Sequence, residues 1–197
     1  MSTVTSTVTS TVVLHMSMSL DGFVAGPRVS AEHPMGEGGM RLHRWLFAER
    51  PDPRDQEVAA AVSASAGAVV LGRRTFEVGL PHWGDTPYPV PAFVLTRLAR
   101  DPLPMTSGTF TFVTTGAESC VEAARAAAGG KDVVVMGAET GRRLLAAGLV
   151  DEVQLNLVPV VLGGGARLLA DLEPMELERV GVVASDTVTH LRFRVVR

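Results

Sequence analysis

Two stretches of this chain run from a strand-sized apolar block through one glycine directly into a helix-forming segment. They read Val-Val-Leu-Gly-Arg-Arg-Thr over residues 69–75 and Val-Val-Val-Met-Gly-Ala-Glu-Thr over residues 133–140. An unbroken apolar block has no polar face to give to water, so it reads as a strand covered on both sides. Strands of that kind, each leading into a helix, belong to α/β sheets with helices on both faces.

The remaining pattern agrees. Strands are expected over 12–18, 68–71, 92–96, 109–114, 133–136 and 151–158. Helices are expected over 40–49, with Leu42, Trp45, Leu46 and Glu49 on one face, and from the N-cap Asp52 through Pro53 to Ala66, with Asp55 in the capping box and Gly67 as the stop. Further helices are expected over 74–78, over 118–128, and from Gly137 to just before Gly148. Segments 175–184 and 187–196 read as a C-terminal hairpin whose Leu191, Phe193 and Val195 share a face. The expected fold is therefore a mixed, mostly parallel central sheet with helices on both faces and an antiparallel hairpin at one edge. Residues 1–11, a Ser/Thr/Val repeat, read as a disordered leader, and 12–197 as a single domain.

Composition narrows the function. A net charge of −3 with no basic stripe argues against a nucleic-acid partner. The lone cysteine, Cys120, allows no intrachain disulfide and no Cys-based zinc cluster, and the five histidines show no metal-ligand spacing, so no metal site is expected. No apolar run approaches the roughly 20 residues of a membrane span, and a cytoplasmic, reducing setting fits.

In open α/β sheets ligands sit beyond the carboxyl ends of the strands, and three turns fall there. At Gly72, free N–H groups at the helix start together with Arg73 or Arg74 and Thr75 suit an anion; the other reading is a routine glycine turn with solvated arginines. At Gly137, a pyrophosphate could rest on the N–H groups from Ala138 to Gly141; the other reading has Glu139 and Thr140 helping to cap the helix. This turn lacks the usual G-x-G-x-x-G dinucleotide signature. At the first strand's exit, Asp21 reads as an ordinary Asp-Gly turn or as an anchor for substrate or for the loop that follows. That loop, from Phe23 to Gly39, is rich in Gly and Pro, and a long loop in a compact domain suits a lid. Trp45 and Trp83 read as packing residues or stacking platforms, with Trp45 the candidate substrate contact beside Asp21.

In order along the chain, S-L-D-G-F, L-G-R-R-T-F-E, F-V-L-T-R, V-x-M-G-A, A-G-L-V-D-E-V-Q-L and P-V-V-L-G-G-G-A-R-L-L resemble the reductase domain of the bifunctional riboflavin-biosynthesis deaminase-reductase, within the dihydrofolate-reductase-like superfamily. The resemblance spans nearly all of residues 12–197. It implies an oxidoreductase that uses NADPH, and a homodimer. It implies that Gly72, Arg73 and Thr75 hold the 2′-phosphate and pyrophosphate, with Thr96 and Arg97 as a second contact to the adenosine phosphate. Gly137 and Ala138 match the family's Gly-Gly step, often a cis peptide beside the nicotinamide, and Glu139 and Thr140 continue that helix start. Ser17, Val24 and Ala25 match positions that pack the nicotinamide, and Asp21 matches the acidic residue of the substrate-side motif. The chain departs from the pattern in two places. Ala138 replaces the second glycine. The stretch G-E-G-G-M-R-L-H-R-W, residues 36–45, has no acid where dihydrofolate reductases anchor the pterin, Glu37 lying in the loop. The implied activity is that of a 5-amino-6-(5-phosphoribosylamino)uracil reductase. Reduction of dihydrofolate, another pterin or a xenobiotic, and nucleotide binding without catalysis, are the alternatives.

Overall fold

The computed structural model describes residues 10–197. In chain order the elements are β1 (Val12–Ser19), β2 (Phe23–Ala25), a 3-10 turn (Gly39–His43), α1 (Arg44–Phe47), α2 (Pro53–Ser65), β3 (Ala66–Gly72), α3 (Arg73–Trp83), β4 (Ala92–Leu95), β5 (Leu103–Pro104), β6 (Thr109–Val113), α4 (Ala117–Ala127), β7 (Asp132–Met136), α5 (Ala138–Ala146), β8 (Glu152–Val158), β9 (Ala166–Arg167), β10 (Leu177–Ala184) and β11 (Thr189–Val195). Nine strands form one sheet in the order β10-β11-β8-β1-β7-β3-β4-β6-β5, and β2 pairs with β9 apart from it. The six strands from β8 to β6 are mutually parallel, whereas β11 runs antiparallel to β8 and β10 antiparallel to β11. This is the expected mixed α/β architecture with its antiparallel C-terminal pair.

Alternation along the central strands builds a core on each face. Ala68 and Val70 of β3 and Val133 and Val135 of β7 pack with Cys120, Val121 and Ala124 of α4 and Leu144 and Leu145 of α5. Val69, Leu71 and Val134 point the other way, against Phe76 of α3 and Phe110 of β6. Each Val, Leu or Phe side chain among them contributes about 1.5–3 kcal/mol when taken from water, so the two-sided burial of β3 and β7 fixes them at the centre of the sheet. A third cluster, Leu42, Trp45, Val158 and Val188, seats the 3-10 turn and α1 against β8 and the start of β11.

Several expectations shift. The helix expected over 40–49 is a 3-10 turn followed by four α residues; Leu42 and Trp45 are buried, but Leu46 and Glu49 face solvent. The helix expected over 74–78 extends from Arg73 to Trp83 and accommodates Pro81 near its end. Asp52 caps α2 as expected, its carboxylate accepting from the Arg54 amide at 2.9 Å. Asp55 leaves the capping box for a buried contact described below. Gly67 does not stop α2 but lies within β3, where a Cβ would collide with the Ala128 carbonyl and the Lys131 side chain. Of the leader, residues 1–9 lie outside the described residues; Ser10 is buried, and the Thr11 carbonyl accepts from the Val133 amide at 2.8 Å. No helix among the described residues is long and apolar enough to cross a membrane.

Gly67→Ala tests the close approach of β3 to the segment after α4. It is expected to lower unfolding stability by about 1–3 kcal/mol, the usual cost of overpacking, as read by chemical denaturation. An unchanged midpoint would show that the segment yields.

Candidate active site

Because β3 and β7 are adjacent and parallel, with Leu71 opposite Met136, their terminal glycines end side by side. The two turns interlock. A Cβ on Gly72 would strike the Thr140 hydroxyl, and one on Gly137 would lie 2.6 Å from that of Thr75. Each turn therefore surrenders a side chain to make room for the threonine of the other. Gly137 also adopts a φ of 93°, a conformation that suits glycine. The Gly137–Ala138 peptide is trans, and the Gly137 amide donates to the Met16 sulfur at 3.3 Å.

Helices α3 and α5 start at this junction, and α4 starts nearby after Gly116, beyond β6. None of the three has a side-chain cap: Gly72, Gly116 and Gly137 occupy the cap positions. Glu139 and Thr140 thus do not cap α5. Their first-turn N–H groups, with the positive ends of the helix dipoles, stand open at the carboxyl end of the parallel strands.

That end opens into a cleft of about 1370 Å³. Arg28, Arg73, Arg74, Arg97, Arg142 and Arg143 line it, and Glu139 is the one carboxylate among its lining residues. Arg28 pairs with Glu37, Arg73 with Glu77 at 2.9 Å, and Arg142 with Asp171 at 3.7 Å. Arg74, Arg97 and Arg143 have no carboxylate partner among the described residues. In a chain with net charge −3, these three unpaired guanidinium groups against Glu139 leave a local excess of positive charge. The volume exceeds the usual range of roughly 300–1,000 Å³ for a single-ligand pocket.

The structure brings nearly all the sequence candidates to this cleft. Gly72, Arg73 and Thr75 lie at the start of α3, and Gly137, Ala138, Glu139 and Thr140 at the start of α5. Thr96 follows β4, its hydroxyl accepting from the Leu98 amide at 3.1 Å, and Arg97 projects beside it. Ser17, Val24, Ala25 and Trp45 line the opposite part. The loop after β2 closes one side through Gly26, Arg28 and Met35, tied to α3 by His82 Nε2 against the Ala31 carbonyl at 2.6 Å. Trp83 instead packs on Tyr88 and Phe110. Asp21 is not among the residues lining the cleft; its carboxylate accepts from the Leu162 and Gly163 amides at 3.1 and 2.7 Å, and so holds the loop after β8. Two charge-assisted bonds to backbone amides satisfy the carboxylate where it stands.

Sequence reasoning missed a group of side chains across β1, β8 and β11. Asn156 lies opposite both Ser17 and His190, and its amide reaches His15 Nε2 at 3.0 Å and His190 Nδ1 at 2.8 Å. His190 in turn meets Asp55 at 3.0 Å. Burial pushes the His15 pKa down to about 4; the Asn156 contact opposes this, and His190 and His43 add to it, so the ring is neutral near pH 7.

The model of the RibD C-terminal domain family matches residues 10–191. No curated protein matches the chain. Among solved structures, a protein from Shewanella sp. PV-4 named for riboflavin biosynthesis is 22% identical with a TM-score of 0.74, over 95% of this chain and 99% of its own. The diaminohydroxyphosphoribosylaminopyrimidine deaminase/5-amino-6-(5-phosphoribosylamino)uracil reductase of Thermotoga maritima is 14% identical with a TM-score of 0.64, over 95% of this chain but only 57% of its own. Dihydrofolate reductase from Enterococcus faecalis, solved with NADP(H), is 14% identical with a TM-score of 0.60, over 95% of this chain and 97% of its own. At these identities the likeness is one of fold.

Gly72→Val and Gly137→Val test the interlock. Each is expected to lower stability by about 1–3 kcal/mol and to abolish anion protection in thermal shift, because the threonine opposite has to move. Full protection by pyrophosphate in either variant would separate the turns from anion binding.

Proposed function

The chain belongs to the RibD C-terminal domain family, and from that premise we propose that it is an NADPH-dependent reductase of a small planar heterocycle. The best named activity is that of a 5-amino-6-(5-phosphoribosylamino)uracil reductase. One observation carries the cofactor reading: six arginines, three of them with no carboxylate partner among the described residues, and a single lining carboxylate at a cleft onto which three uncapped helix starts open. This donor set suits a ligand with several phosphate charges, and the cleft has room for a second molecule beside it.

In this reading Gly72, Arg73 and Thr75, with Thr96 and Arg97, hold the adenosine phosphate, while the amides of Ala138, Glu139 and Thr140 receive the pyrophosphate. Val24 and Ala25 pack the nicotinamide, and Ser17 joins them where the nicotinamide meets the substrate, its hydroxyl on the substrate side. When bound, NADPH supplies the hydride. The chain's own residues orient the two reactants and, with the loop after β2 as a lid, keep water out. The Glu139 carboxylate sits within the first turn of α5, where the helix dipole offsets part of its repulsion for phosphate. The substrate lies on the Trp45 side. No carboxylate lines that side to anchor a pterin, which favours a pyrimidine over dihydrofolate.

Arg73→Ala combined with Arg97→Ala is expected to weaken NADPH binding on the order of tenfold or more while leaving NADH nearly unchanged, since only NADPH carries the 2′-phosphate. Equal losses would sink the assignment. The loss of NADPH absorbance on adding the ribosylaminopyrimidine phosphate tests the reaction. Turnover of dihydrofolate alone would favour a folate-type reductase, and tight binding without turnover a non-catalytic nucleotide binder.

A further inference from the structure

The polar side chains on the floor of the cleft determine one another's protons. Ser17 and His15 alternate along β1 and share a face of the sheet. Asn156 Nδ2 donates to His15 Nε2 at 3.0 Å and to Ser17 Oγ at 3.4 Å. Asn156 Oδ1 faces His190 Nδ1 at 2.8 Å, and His190 Nε2 faces Asp55 Oδ1 at 3.0 Å. The second Asp55 oxygen accepts from the Ser185 and Thr187 hydroxyls at 3.1 and 2.9 Å. Asp55 is 1% exposed and His190 6%, so this end of the chain is shielded from water.

With the Asn156 amide oriented this way, the donor and acceptor inventory assigns the rest. An amide oxygen only accepts, so His190 carries a proton on Nδ1, and a further proton lies in the His190–Asp55 contact. An amide nitrogen only donates, so His15 Nε2 accepts, and a neutral His15 carries its one proton on Nδ1. Ser17 Oγ already accepts from Trp45 Nε1 at 3.1 Å and from Asn156, which leaves its own proton over. Neither proton has an acceptor among the described residues, and both side chains line the cleft.

We propose that His15 Nδ1–H and Ser17 O–H are the specificity-determining donors of the substrate half, and that Asp55, acting through His190 and Asn156, is the positioning residue that holds them as donors. The ligand edge they fit carries two acceptors, carbonyl oxygens or unprotonated ring nitrogens, on a planar ring beside Trp45. The assignment of these donors to substrate rests on the reductase reading; their proton positions do not.

Nitrogen-15 NMR of the imidazole rings in the full chain at pH 7, without ligand, reads the tautomer directly. His15 is expected as the neutral Nδ1–H form; an Nε2–H form overturns the proposal. Asn156→Asp exchanges the donating amide for a carboxylate and is expected to move the His15 proton to Nε2. A variant spectrum that keeps Nδ1–H overturns the relay, and if the variant does not fold, the wild-type spectrum still decides the donor. With the reductase substrate, His15→Leu is expected to raise KM about tenfold while NADPH affinity is kept. An unchanged KM overturns the contact with substrate. A wild type that binds no NADPH overturns the reductase reading, while the spectrum still decides the proton positions.

Discussion

The reciprocal seating of two threonines against two glycines sets the geometry of the cleft. Thr140 occupies the space that a Gly72 side chain would need, and Thr75 that of Gly137. This contact exists only because β3 and β7 are neighbouring parallel strands that end in register. It holds the first turns of α3 and α5 together, with glycines where capping side chains would otherwise sit. The open N–H groups are thus a consequence of packing. The two-sided apolar burial of β3 and β7 keeps the junction from sliding, since a one-residue slip would reverse both core faces.

From that junction the cleft divides by chemistry. Toward α3, α4 and α5 it offers backbone amides and guanidinium groups, whose attraction for phosphate strengthens where water is partly excluded. Toward β1 and β8 it offers Trp45, Ser17, His15 and Asn156, neutral groups suited to a flat polar ring. The same sheet serves both halves: the helix starts follow β3, β6 and β7, and the polar ladder crosses β1, β8 and β11.

What could be read from the sequence follows the range of the interactions. The turns at Gly72 and Gly137 are local patterns, strand then glycine then helix, and the residues they carry arrive at one cleft. The apolar runs of β3 and β7 announce a covered sheet for the same reason. Asp55 was hidden because its local setting, three residues after an N-cap, suggests a capping box, whereas its partner His190 lies 135 residues away. His15 and Asn156 are separated by 141 residues and meet only through the strand register. Gly67 has the spacing of a helix stop, yet it is demanded by a backbone passing close to β3. Asp21 is an Asp-Gly turn locally, and only the loop at residues 162–163 shows what its carboxylate holds.

The central claim is that an array of uncapped helix starts and arginines makes this cleft a site for a multiply charged dinucleotide. Calorimetric titration of NADPH into the wild-type chain at rising salt tests it most directly. Saturable binding that weakens steadily with ionic strength is the expected result, because guanidinium–phosphate attraction at a partly open cleft is screened. Absent binding, or binding indifferent to salt, would contradict it.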